Sequence, residues 1–212
     1  MPSTINSAFL ALASAASLAA AVGVTPHVEY SSSVGVLGCK IDTNRVAYFP
    51  QSVDCDKICI KVSNQGRSVN LLRIDQSGGA HDISYDAWNF LVTGKSAKEN
   101  PTTGGAVEMT VEDVPAQECD SLIKSAGRLP LSAANSMNFL TSCGPNTFVG
   151  KNHELFNIGN PTCTVGFDEV CKLDLAVSNQ AACPNQLGTP NVLTTAPVLN
   201  IEFGTGKEVK AT

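Results

Sequence analysis

Three carboxylates, Asp75, Asp82 and Asp86, fall within twelve residues, with His81 among them. Two carboxyl groups flanking a glycosidic bond can divide the roles of general acid and of base or nucleophile. Asp75 and Asp82 are the pair this stretch offers for such chemistry. A structural reading competes with it. Asp75 can accept hydrogen bonds from loop amides, and Asp82 or Asp86 can serve the N-terminus of a following helix. Carboxylates commonly serve loops, so the structural reading is preferred. His81 follows a glycine pair and could shuttle a proton or hold a ligand, although a lone histidine beside an aspartate more often bonds at a surface. Sugar rings stack on aromatic faces. The chain has three tyrosines, Tyr30, Tyr48 and Tyr85, and one tryptophan, Trp88. Tyr85 is the expected exposed aromatic and Trp88 the expected core residue. Aromatics make up 6% of the chain, which argues against an extended stacking platform. The candidate ligand contacts are therefore Asp75, His81, Asp82 and Tyr85, with no catalytic residue assigned unless Asp75 and Asp82 act as a pair. No nucleophile elbow, zinc-protease motif, phosphate loop or dinucleotide fingerprint occurs, and no cofactor is expected.

The elements that must position these residues are legible around them. Ile60 and Val62 alternate with polar neighbours as a strand with one buried face does. Asn64-Gln65-Gly66 supplies turn chemistry, and Val69 to Ile74 is a second β-rich run. Gly78-Gly79 opens the chain. Ser84 can cap a helix that carries Ala87, Trp88 and Leu91 on one face, and Gly94 can stop it. Residues 95–105 read as a solvated connector. Val107 to Val111 is a further strand, and Val192 to Phe203 can supply one last strand.

The chain has 212 residues and eight cysteines. Residues 1–21 carry no charged side chain, and Ala19-Ala20-Ala21 offers a small-residue cleavage site, so 1–21 reads as a secretory signal peptide and 22–33 as an exposed leader. An even cysteine count behind a signal peptide implies disulfides among Cys39, Cys55, Cys59, Cys119, Cys143, Cys163, Cys171 and Cys183. The cysteines lack paired short knuckles and the histidines His27, His81 and His153 are scattered, so no metal site is expected. The net charge is −5 and the 14 Lys and Arg residues form no stripe, which disfavours nucleic acid and anionic membrane as partners.

The order of these motifs resembles that of the barwin, expansin and cerato-platanin group. The matching residues are Cys59-Ile60-Lys61-Val62-Ser63-Asn64, then Arg73-Ile74-Asp75-Gln76, Gly78-Gly79, and Ile83-Ser84-Tyr85-Asp86-Ala87-Trp88-Asn89, with Val107 to Val111 and Cys119 closing the pattern. The resemblance covers about Val34 to Cys119. It implies a mainly β fold, a six-stranded double-psi β-barrel at 34–119. Beyond Cys119 the pattern ends; the four cysteines and turn residues of 143–183 read as a disulfide-stapled C-terminal extension, 120–212, packed on the barrel, rather than as an independent domain, which so short a segment would leave with little core. The resemblance also implies Cys39–Cys55 and Cys59–Cys119 bridges, which leaves Cys143, Cys163, Cys171 and Cys183 to pair among themselves. Ser77 stands where the group usually has a cysteine, and Cys55 and Cys59 are separated by three residues rather than two. The Tyr/Asp motif of barrel-type cellulases is missing before Cys55. The resemblance thus implies a secreted, non-hydrolytic cell-wall or apoplastic protein that binds glycan or acts as an elicitor or effector. The alternatives are a weak glycanase using Asp75 and Asp82, or a protein-binding effector or inhibitor. The expected partners are cell-wall polysaccharide or a host extracellular protein, and the expected state is a monomer.

Overall fold

The computed structural model describes residues 20–212. The signal peptide expected at 1–21 lies outside the described residues except for Ala20 and Ala21, which open the first strand.

β1 (Ala20–His27), β2 (Val46–Phe49), β3 (Cys59–Asn64), β4 (Arg67–Gln76), β5 (His81–Ser84) and β6 (Val107–Asp113) close into a six-stranded barrel of order β1-β5-β2-β4-β3-β6. β1 runs parallel to β5 and β2 parallel to β4; the other four pairings are antiparallel. This is the expected double-psi barrel. Closure removes the unpaired edges that an open sheet would leave.

The exposed leader expected at 22–33 is not found. β1 pairs with β6 from Ala20↔Val111 to Val24↔Val107, and with β5 from Val24↔His81 to His27↔Ser84. Val24 is buried. Beyond the strand, the Tyr30 backbone N–H donates to Asn200 Oδ1 at 2.9 Å and the Tyr30 hydroxyl to Val36 O at 2.8 Å. The barrel therefore starts before Val34, because without β1 the parallel and antiparallel partners on either side would both lose their ladder.

β3 and β4 form a hairpin whose two turn residues, Gln65 and Gly66, have φ of +49° and +77°. Positive φ at both positions gives the turn a twist that matches the flanking strands. The helix α1 (Tyr85–Thr93) ends at Gly94, whose φ of +81° lets its N–H return to Phe90 O at 2.8 Å. Ser84 stands at the N-cap but does not cap with its side chain; its hydroxyl donates to Asn44 O at 2.6 Å.

Period-two alternation divides the strands between two cores. Val24, Ala47, Ile60, Val62, Leu71, Ile83 and Met109 face the barrel interior with Trp88 and Leu91 of α1. Val46, Tyr48, Cys59, Leu72 and Ile74 face outward into a second core shared with the C-terminal half. Asn64 Nδ2 and Arg67 Nε donate to Leu91 O at 3.1 and 2.8 Å, which ties α1 to the hairpin end of the barrel.

The C-terminal half holds β7 (Leu129–Ser132), α2 (Met137–Cys143), α3 (Phe148–Lys151), β8 (His153–Ile158) and β9 (Gly166–Cys171), with β7, β8 and β9 in one sheet. β10 (Leu199–Ile201) and β11 (Glu208–Lys210) form a separate pair. The last strand expected in 192–203 is thus short and joined by a partner at the C-terminus.

The disulfides are Cys39–Cys163, Cys55–Cys143, Cys59–Cys119 and Cys171–Cys183. Cys59–Cys119 is the bridge the family resemblance implies. The Cys39–Cys55 bridge does not form, nor do the last four cysteines pair only among themselves. The reason is docking. Gly38 N–H donates to Pro161 O at 2.9 Å, beside Cys163, and Val149 N–H donates to Cys55 O at 3.0 Å. The loops carrying Cys39 and Cys55 lie against different parts of the C-terminal half, so each is stapled to it. Among the described residues no cysteine is free and no helix is long and apolar enough to cross a membrane.

Candidate functional site

Asp75 is 8% exposed at the end of β4. Its carboxylate accepts from the Ser31 hydroxyl at 2.6 Å, Ser33 N–H at 2.8 Å and its neighbour Gln76 N–H at 2.8 Å. Asp82 accepts from the Thr25 hydroxyl across the β1–β5 pairing. Tyr48 of β2 sits between them, opposite Asp75 on one side and Asp82 on the other. Tyr48 is 3% exposed, and its ring packs against that of His27 with centroids 4.3 Å apart. Burial pushes the Tyr48 hydroxyl well above its usual range; a hydrogen bond from the Ser31 backbone opposes this, and the charges of Asp75 and Asp82 add to it.

Asp86 is buried, pairs with Arg45 at 2.7 Å, and accepts from Ala97 N–H at 2.7 Å. It clamps the 95–105 connector to the barrel. Asn89 completes that clamp, donating to Lys95 O and Asn100 O and accepting from Thr102 N–H. Tyr85 is not the exposed aromatic expected of it. It is 2% exposed, its hydroxyl donates to Thr102 O at 2.7 Å and accepts from Gly204 N–H at 3.1 Å, and its ring lies 5.0 Å from that of Phe203. The C-terminal half, which covers it, is beyond the reach of a local sequence reading. Trp88 is buried as expected.

His81 is placed differently from these. It begins β5 and meets the Phe49 ring edge-on, with centroids 4.8 Å apart. Both line a recess of about 200 Å³ together with Val22, Gln51, Ile60, Arg73, Val111 and Asp113. Each of the six strands contributes a residue, so the recess is the open mouth of the barrel, opposite the end that α1 closes. Its lining mixes apolar side chains with the polar groups of Gln51, Arg73, His81 and Asp113.

Arg73 is the functional candidate that the sequence reading missed. It follows Leu71 by two residues on β4 and so shares the inward face. Asp75, two further on, does not share that face. The register of β4 on β2 slips by one residue between Ala47 and Tyr48, which puts Asp75 beside Tyr48 and leaves Arg73 at the mouth. A charge at an inward position of an apolar run was the available signal. The structure therefore brings His81 and Arg73 together and sets Asp75, Asp82 and Tyr85 elsewhere. Among the described residues no cluster of His, Cys, Asp and Glu has the makings of a metal site.

These features define a disulfide-bonded double-psi barrel protein with a C-terminal half stapled over one side; four disulfides belong to an oxidising compartment. No protein-family model matches the chain, and no curated protein matches it. Among solved structures, the solution structure of the fungal elicitor cerato-platanin is similar over 50% of this chain and 100% of that one, at 16% identity and a TM-score of 0.35.

Proposed function

We propose that the protein is a secreted, non-hydrolytic cell-wall or apoplastic protein that binds glycan at the barrel mouth, in the manner of an elicitor or effector. The observation that carries this reading is the separation of the acids from the recess. The mouth combines apolar and polar side chains, as sugar-binding surfaces need, while Asp75 and Asp82 lie outside it on strands that flank Tyr48. Of the residues lining the mouth, Asp113 alone is acidic, and it pairs with Lys57 at 3.1 Å. A glycosidase needs two facing carboxyl groups roughly 5–9.5 Å apart across the scissile bond. One ion-paired carboxylate does not supply them.

The test is incubation of the secreted protein with purified cell-wall polysaccharides, reading both the protein retained by the polymer and the reducing ends released. Retention without release is the expected result. Release of reducing ends that grows with protein concentration and time contradicts it.

A further inference from the structure

The mouth holds a cation that the fold does not neutralise. Arg73 is 9% exposed, and its Nε is buried with no hydrogen-bond partner. Among the described residues it forms no ion pair. The nearby acids are engaged elsewhere. Asp113 is held by Lys57. Asp54 accepts from the amides of Asp56 and Lys57 at 2.7 and 2.9 Å. Desolvation opposes its ionisation, but those two amides, and then the charges of Arg73 and Lys57, hold its carboxyl below the usual range. Arg73 thus acts on Asp54 through space without bonding it.

Only Nε is buried without a partner, so the terminal nitrogens of the guanidinium are the part left open to the recess, and a planar carboxylate can meet such a fork with two parallel bonds. We propose that the mouth takes an acidic sugar, a uronate unit of a wall polysaccharide, with Arg73 binding its carboxylate; this rests on the glycan-binding reading above. Val22 and Val111, both half-buried, supply an apolar surface for the C–H face of the ring, with the buried Phe49 and Ile60 behind them, and Gln51 and His81 supply polar groups for its hydroxyls. The recess of about 200 Å³ is smaller than the ~300–1,000 Å³ sites of drug-sized ligands, which suits one sugar unit rather than a chain segment.

The experiment is calorimetric titration of the full secreted protein with three probes: oligogalacturonate, the same oligomer with its carboxyls reduced to neutral alcohols, and inorganic phosphate. The acidic oligomer is expected to bind the wild type about tenfold or more tighter than either of the others, and Arg73→Gln to remove that preference. Arg73→Lys, which keeps the charge and loses the fork, should recover only part of it. Equal binding of the acidic and neutral oligomers overturns the proposal while glycan binding stands. Phosphate binding as tight as the acidic oligomer overturns it in favour of a general anion site. Binding by neither oligomer overturns both this proposal and the glycan reading. Should Arg73→Gln fail to fold, the wild-type preference still decides, and Gln51→Ala at the rim should weaken the acidic oligomer several-fold.

Discussion

Asp82 accepts a hydrogen bond from Thr25 within the sheet, and the strand that carries Tyr48 separates it from Asp75. Asp82→Asn keeps the shape and removes the charge. The variant should lose about 1 kcal/mol of stability, the worth of one weakened charge-assisted hydrogen bond. Chemical denaturation reads that loss, and glycan binding by the folded variant should match the wild type. A folded variant of unchanged stability whose wild-type parent cleaves an oligosaccharide that the variant cannot would make Asp82 a general acid instead. At this scale the sequence was informative about type and only partly so about direction. The loop around Gly78-Gly79 announces carboxylates that serve amides, and Asp75 does accept from Ser33 and Gln76. The inward parity of Arg73 with Leu71 was there to be read, but nothing local tells that Asp75 leaves that face, because this depends on a one-residue slip against β2.

The elements show the same division. The β3–β4 hairpin and α1 are set by neighbours in sequence: Gln65-Gly66 makes the turn, and Gly94 makes the stop. β1 is not. Its apolar residues run on from an alanine-rich segment, and its partners β5 and β6 lie far along the chain. Val22 and Val24, alternating with Ala21 and Gly23, were the only trace of it. In the C-terminal half, β9 depends on Glu169. Its carboxylate accepts from Asn157 Nδ2 at 2.8 Å, Asn185 N–H at 2.8 Å and Asn185 Nδ2 at 2.6 Å. Desolvation works against its ionisation, but these bonds outweigh it and hold the carboxyl below the usual range. A folded-state value below the unfolded one means that the stabilisation is complete above the ordinary glutamate range and is lost as pH falls through the folded value. Glu169→Gln should therefore lower Tm at neutral pH and reduce the fall in Tm below about pH 4.3, the unperturbed glutamate value. Melting curves of both proteins across that range check it; parallel Tm profiles would show that the bonds contribute nothing.

At the scale of the whole molecule, the barrel and the C-terminal half are one folding unit. Val36 bridges to Leu131 and Ile41 to Ile123, and two of the four disulfides cross between the halves over 124 and 88 residues. In the chain-entropy account, a loop of that length constrains the unfolded chain by about 4–5 kcal/mol. A chain ending at Cys119 would expose the outer core and leave Cys39 and Cys55 without their partners. It should show no cooperative thermal transition in near-ultraviolet circular dichroism, and a sharp two-state melt of that fragment would show the barrel to be autonomous. The pairing of Cys59 with Cys119 came from the family resemblance, and it joins the start of β3 to the turn that follows β6. The crossing bridges were not readable, since they record where a distant segment docks.

The central claim is that the barrel mouth binds glycan without cutting it. The most direct measurement is an NMR titration of isotope-labelled protein with wall oligosaccharides, following the backbone amides and the sugar's anomeric signals in the same samples. Binding at the mouth should concentrate the shifts at Gln51, Arg73, His81 and Val111, with the anomeric signals conserved in number over time. Shifts centred instead on Asp75 and Asp82, accompanied by new reducing-end signals, would contradict it.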